Sequence, residues 1–226
     1  MTWIDLGNPR PHPEPKIYVP FCWPLGDIYY LFEPEKLPTK PLSKILEHRR
    51  TRRSFDEVSD EDLCTLLWLT CRGQAWSNSA SGLQLCFRPT PSAGAIHPIH
   101  VLVSSKKNRS WQRYVPTDHT LAGIEPIILS PEKIREAVEN VVPPEDGTIL
   151  LFIAEPGKTL AKYADGCSLI WRDAGVLLGY MSLVAESLDL NFCPLGITGE
   201  PWASHLDEEG RLVGVGMALL GSSWNK

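Results

Sequence analysis

Positive charge is in short supply in this chain. Lys and Arg number 22 against 27 Asp and Glu, a formal net charge of -5. The isoelectric point near 5.7 argues against general nucleic-acid binding, which draws on an excess of cations. The six cysteines, Cys22, Cys64, Cys71, Cys86, Cys167 and Cys193, include no C-x-x-C pair. They therefore read as reduced, mostly buried thiols of a cytoplasmic protein, not as a disulfide framework or a zinc site. The six histidines include no H-E-x-x-H, and no metal site is expected. No run approaches the roughly 18 apolar residues that a membrane span needs, so no membrane is expected as a partner. The start, MTWIDLGNPRPHPEP, lacks the basic n-region and apolar core of a secretory signal. A G-x-G-x-x-G dinucleotide fingerprint is missing too, as is any internal repeat or low-complexity block.

What is present is ordinary in bulk. With 43% hydrophobic and 22% charged residues in 226, the chain can build one large domain with a full core, or two small ones. Against that background Arg49-Arg50-Thr51-Arg52-Arg53-Ser54-Phe55 stands out. Cations packed so densely repel one another unless an anion sits among them. The planar guanidinium fork suits phosphate, and Thr51 adds a hydroxyl donor. A solvated basic helix end is the competing reading from charge alone. The second informative stretch is Pro91-Ser92-Ala93-Gly94-Ala95-Ile96-His97-Pro98. Its small residues let backbone approach a flat ligand, and Ser92 offers a donor.

Residues 1–41 hold nine of the twenty prolines, punctuated by Trp3, Tyr18, Phe21, Trp23, Tyr29, Tyr30 and Phe32. Proline denies this arm regular helix, while the aromatics imply that it packs on the body of the fold, residues 42–226. The arm could also line a substrate entrance. A helix is expected over 42–50, delivering the arginines at its C-terminal end, where the helix dipole favours cations. Ser59 reads as the N-cap of a second helix, with Asp62 completing the cap and Gly73 as the stop. Residues 74–90, rich in Ser, Gly and Asn, read as a loop. Ile99–Ser104 and 110–115 read as a hairpin turning through Lys106-Lys107-Asn108. Ser130-Pro131 opens a further helix. Thr148–Ala154, continuously apolar, reads as a buried central strand. The longest helix is expected over about 166–188. It carries a stripe of small residues, Gly175, Gly179 and Ser182, that suits close approach of another helix, within the chain or from a second copy. Residues 190–199 leave that helix through Cys193-Pro194-Leu195-Gly196, and 211–220 form a final strand.

The two stretches together resemble the flavin-binding signatures of the nitroreductase superfamily. The likeness covers residues 43 to 221. Arg49, Arg50, Thr51, Arg53 and Phe55 match its Arg-Arg-Ser-x-Arg-x-Phe pattern with Thr for Ser, and the resemblance implies that they bind the phosphate and carbonyl edge of FMN. Pro91, Ser92, Ala93 and Gly94 resemble the segment that reaches the flavin from the partner subunit. Pro194, Leu195 and Gly196 resemble the turn facing its reactive nitrogen. The implied fold is an α+β sandwich, a mainly antiparallel central sheet flanked by helices, in a homodimer whose core is the long helix.

Two features resemble the superfamily's thiazole/oxazole-forming peptide dehydrogenases in particular. One is the form PSAGAIHP preceded by Arg88; the other is Lys162-Tyr163 before the long helix, a pair that in those enzymes supplies the acid-base group. The resemblance thus implies an FMN-dependent oxidoreductase passing hydride between flavin and a small or peptide-like azoline substrate. An NAD(P)H-dependent reductase of nitro compounds or quinones, and a flavin-binding partner protein without catalysis, are the competing readings. Departures are His97 for the family's tyrosine and Cys167 where a large polar residue is common. Among late basic residues only Lys226 is a phosphate candidate.

Overall fold

The structure is a computed structural model describing residues 4–24, 26–79, 82–107, 110–125 and 129–223. In chain order its elements are β1 (Arg10–Pro11), β2 (Ile28–Tyr30), α1 (Leu42–His48), α2 (Asp60–Cys71), β3 (Ala75–Asn78) and β4 (Gln84–Phe87). There follow β5 (Ile99–Ser104), β6 (Trp111–Val115), β7 (Thr120–Ile124), α3 (Pro131–Glu139), β8 (Thr148–Ala154), α4 (Pro156–Lys162) and β9 (Tyr163–Ala164). The chain closes with α5 (Cys167–Ser187), β10 (Leu190–Leu195), α6 (Trp202–Leu206) and β11 (Val213–Ser222).

Seven strands form the central sheet in the order β10-β11-β8-β5-β6-β7-β2. Every neighbouring pair is antiparallel. The fold is thus the expected α+β sandwich. All seven residues of β8 are buried, as its unbroken apolar run requires for a strand covered on both faces. One face carries Leu66 and Leu67 of α2 with Ile170, Ala174, Leu177, Met181 and Ala185 of α5. The other carries Ile134 and Val138 of α3 and Ala203 and Leu206 of α6, with Trp23 from the N-terminal arm. By length and composition α5 could cross a membrane, but its inner face is part of this core.

Local signals behave as their chemistry dictates. The Ser59 hydroxyl accepts from the Asp62 N–H at 3.0 Å and donates to the Asp62 carboxylate at 2.8 Å, so α2 starts where the cap residues stand. Ser130 accepts from the Lys133 N–H at 3.4 Å, with Pro131 in the first turn of α3. The β5–β6 pairing aligns Leu102 with Arg113 and Val103 with Gln112; Asn108 of its turn lies outside the described residues.

The structure departs from the sequence reading in four places. Helix α1 stops at His48, not at residue 50, because Arg49 turns to extended backbone with ψ 125°. Residues 74–90 are not a loop: β3 and β4 pair from Ala75↔Phe87 to Asn78↔Gln84. Most of both strands is exposed, so no alternation marked them. Strand β11 runs from 213 to 222, shifted by a bulge between Gly214 and Gly216. The arm, finally, contributes β2 as the sheet's outer strand against β7 and β1 against β9.

Candidate functional site

The arginine segment lies between α1 and α2, and a buried anchor holds it there. Phe55 is fully buried. Its N–H donates to the Glu145 carboxylate at 2.6 Å. An added Cβ at either Gly147 or Gly221 would come within 2.6 Å of Phe55, so two glycines shape its slot. Asn191 of β10 donates to the Ser54 carbonyl at 2.8 Å, and Asp56 bridges to Ser222 of β11. The segment is therefore pinned to the β10–β11 edge by its last residues, with Arg50 and Arg53 exposed and Arg49 and Arg52 half-buried.

Those arginines are not equivalent. Arg52 pairs with Glu186 of α5 at 2.6 Å, which neutralises it inside the chain. Arg50 donates to the Glu47 and Arg49 carbonyls at 3.0 and 2.8 Å, closing the end of α1. Arg53 reaches the Cys193 sulfur on β10, a contact that opposes the rise burial imposes on that thiol's pKa. Among the described residues, Arg49, Arg50 and Arg53 have no carboxylate within 4 Å. Thr51 is exposed. Arg53 thus ties the segment to Cys193, next to Pro194, Leu195 and Gly196, which end the edge strand β10 and lead out of it. Pro194 is tolerated there because an edge strand need not donate on both sides, and a Cβ at Gly196 would meet open space.

The second constellation forms at Pro91–Pro98. Gly94, Ala95 and His97 all adopt positive φ, at 66°, 55° and 48°, a costly run for residues with side chains. Asp173 of α5 stabilises it. Its carboxylate accepts from the Ser92 hydroxyl at 2.5 Å and from the Ala93 N–H at 3.1 Å, while the Ser92 oxygen accepts from the His97 N–H at 3.0 Å. Ser92 thus spends its donor within the chain, holding the loop. Burial raises the Asp173 pKa, against the two hydrogen bonds. Asp173 escaped the sequence reading, although an acid in an otherwise apolar helix was the available signal.

This loop meets the Lys162-Tyr163 pair. A Cβ on Gly94 would lie 2.7 Å from Lys162 Nζ and 2.9 Å from the Tyr163 hydroxyl. Lys162 Nζ stands 5.4 Å from the Tyr163 ring centre. The pair sits at the junction of α4 and β9, and the arm runs over it. His12 N–H donates to the Lys162 carbonyl at 2.9 Å, and Pro11 aligns with Tyr163. Gly94 and the Lys162-Tyr163 pair, far apart in sequence, are therefore brought together.

Beneath the arm lies a polar network the sequence reading missed. Glu155, fully buried, accepts from the Tyr18 hydroxyl at 2.9 Å, the Phe21 N–H at 2.5 Å, His100 Nε2 at 2.9 Å and Lys158 Nζ at 2.9 Å. Burial works against its charge, yet the hydrogen bond from His100 and the charge of Lys158 prevail and hold its pKa at about 2. Burial first, then Lys158, pushes His100 down to about 3; burial and Arg88 do the same to His97.

Helix α5 joins the two constellations while keeping them apart. Asp173 serves the Gly94 loop and Glu186 serves Arg52, more than three turns away, roughly 20 Å along the axis. Between them the outer face of α5 is open. Trp171, Val176 and Tyr180 are exposed, and a Cβ on Gly175 or Gly179 would meet nothing within 4 Å. The small-residue stripe therefore does not pack inside this chain, although Ser182 bonds back to the Gly179 carbonyl at 2.8 Å. Lys226 lies outside the described residues.

Comparison with known proteins agrees with this architecture. Residues 46–207 match the Nitroreductase family. No match was found among curated proteins. A structure described as a nitroreductase from Ralstonia eutropha JMP134 superposes with a TM-score of 0.63 at 19% identity, covering 97% of this chain and 100% of that one. A chain of the E. coli microcin synthetase McbBCD complex, with truncated pro-MccB17 bound, gives 0.59 at 17% identity over 85% and 77%. A nitroreductase from Desulfovibrio desulfuricans in complex with FMN gives 0.50 at 17% identity over 83% and 92%. Sharing their fold, and matched by the family over most of its length, the chain belongs to the nitroreductase family.

Proposed function

We propose that this chain is an FMN-dependent oxidoreductase, active as a homodimer, that passes hydride between flavin and a small or peptide-like substrate of the azoline type. The observation that carries the reading is the meeting of Gly94 with Lys162 and Tyr163, because it sets an acid-base pair against a loop built for close backbone approach. The residues present fit FMN. Arg49 and Arg53, aided by Arg50 and Thr51, offer an anion site with no internal counter-charge. Pro194 and Gly196 are exposed on either side of the buried Leu195, and follow Cys193, the residue Arg53 contacts. Pro91, Ala93 and Gly94 form the other wall, with Ser92 bracing it from behind. FMN, when bound, supplies the redox chemistry; the protein supplies orientation and electrostatics. Lys162 Nζ moves the proton, and Tyr163 orients the lysine or donates in its place.

The same geometry supports the homodimer reading. One chain keeps its phosphate-binding arginines and its Lys162 site at opposite ends of α5. A second copy packed antiparallel on the open face of α5 brings one chain's arginines toward the other chain's Gly94 loop. The FMN-bound Desulfovibrio relative supports the cofactor, and the peptide-bound McbBCD relative supports a peptide-like substrate. An NAD(P)H-dependent nitro or quinone reductase is the alternative within the fold. Purified protein loaded with FMN is to be assayed with azoline peptides and, separately, with nitroaromatics plus NADH or NADPH. Turnover of azoline peptides is expected to fall roughly 10²–10⁴-fold in Lys162→Ala, the usual size of acid-base catalysis, with flavin content unchanged. Activity on nitroaromatics alone, undiminished in Lys162→Ala, contradicts the azoline reading.

A further inference from the structure

Beside the Gly94 loop the chain carries a concentration of half-buried cations that neither the flavin site nor the Lys162 pair uses. Two adjoining cavities, of about 210 and 180 Å³, share Arg88, Pro116, Thr117 and Lys158 as lining. Arg113 of β6 faces the smaller one. His97 lines the larger and His100 the smaller. Among the described residues, the carboxylate within 4 Å of these cations is Glu155, paired with Lys158. Glu155 already accepts four donors and has no capacity left for Arg88 or Arg113. Asp173 lines a neighbouring cavity with Arg88 but is committed to Ser92 and Ala93.

The cations are also incompletely bonded. Arg88 Nε and Thr90 Oγ1 are buried without a hydrogen-bond partner among the described residues, and Thr90 is only 4% exposed. Arg113 leans over the Trp23 ring at 5.2 Å and, among the described residues, has no carboxylate within 4 Å, although it feels the charge of Glu155. Leaving a guanidinium desolvated and unpaired costs more than any cation–π contact returns. A small oxyanion supplies what is missing, since a carboxylate or phosphate accepts the guanidinium fork in two parallel bonds.

We propose that these cavities form a binding pocket for a small oxyanion, a carboxylate or a phosphate group, held by Arg88 and Arg113, with the Glu155-paired Lys158 at its wall. The pocket adjoins the Gly94–Lys162 site through His97, which belongs to the same loop. If the redox reading above holds, the occupant is the acidic group of the substrate; the anion site itself does not depend on turnover. The depressed pKa values of His97 and His100 agree with it, since cations beside them help burial keep both rings neutral.

Calorimetric titration of the purified protein with inorganic phosphate and, separately, with benzoate tests the pocket and separates its two sources. At least one anion is expected to bind wild type. Arg88→Gln should weaken that anion tenfold or more, and Arg88→Lys should restore part of it. Arg49→Ala/Arg53→Ala, which removes the competing arginine segment, should keep it. Circular dichroism checks folding, and if Arg88→Gln is unfolded the same tenfold loss is expected of Arg113→Gln. No binding of either anion to wild type overturns the proposal. So does unchanged affinity in a folded Arg88→Gln, or a loss confined to Arg49→Ala/Arg53→Ala.

Discussion

The arginine segment and the Glu155 network are both cation-rich, and they are built oppositely. In the first, Arg49 and Arg53 have no carboxylate within 4 Å among the described residues, and the segment is fixed mainly by the backbone around Phe55 and by Arg52. In the second, one buried carboxylate collects Tyr18, the Phe21 N–H, His100 and Lys158, tying the arm to the end of β8. A charge satisfied inside the chain contributes to folding, whereas a charge left without an internal partner is available for a ligand. Arg52 marks the boundary: it stands among the arginines proposed to bind flavin but belongs to the scaffold through Glu186.

The largest effect should come from Arg49 and Arg53. Arg49→Ala/Arg53→Ala removes two charge-assisted bonds worth roughly 1.5–3 kcal/mol each, so FMN affinity should fall about 10²–10⁴-fold with the melting temperature of the flavin-free protein unchanged. Fluorescence titration reads the affinity. A loss of stability instead would place these arginines with the scaffold.

Glu155→Gln should do the reverse. Breaking a buried pair by removing one partner costs about 3–5 kcal/mol, readable by urea unfolding, while FMN affinity per folded molecule stays as in wild type. The pH dependence has a definite sign. His100 and Glu155 both have folded pKa values depressed from 6.5 and 4.5, to about 3 and about 2. The unfolded chain therefore binds more protons than the folded one below about pH 6.5, and their stabilisation is lost as pH falls from there toward about 2. Acid unfolding curves should show this decline starting near neutrality in wild type, and a shallower one in His100→Asn. A wild-type stability that is flat between pH 6.5 and 5 would contradict the neutral, buried His100.

The smallest effect sharpens the boundary. Arg52→Ala leaves Glu186 nearly buried without its partner, a cost of about 1–3 kcal/mol before allowance for the partial exposure of Arg52. FMN affinity should not change. If this variant loses flavin and keeps its stability, Arg52 belongs to the binding set.

What was legible in the sequence was local. The Ser59–Asp62 cap, Pro131 at the start of α3 and the apolar run of β8 act over a few residues, and each element lies where they put it. The Arg49–Phe55 and Pro91–Gly94 stretches stood out by composition, although Arg52, Phe55 and Ser92 within them serve the scaffold. What escaped depends on distant partners. Nothing near Arg52 announces Glu186, and nothing near Ser92 announces that Asp173 takes its hydroxyl. The Glu155 network assembles from the arm, β5, β8 and α4. The β3–β4 hairpin was hidden because its exposed strands bury no alternating face, and β2 because its exposed residues sit among prolines.

The arginine segment is proposed to hold the phosphate of a flavin. Titrating wild-type protein with FMN and with riboflavin, which lacks only that phosphate, isolates this contact. FMN should bind about 10²–10⁴-fold more tightly, the worth of two charge-assisted bonds, and the preference should collapse in Arg49→Ala/Arg53→Ala. Equal affinities for the two flavins in wild type would contradict the claim.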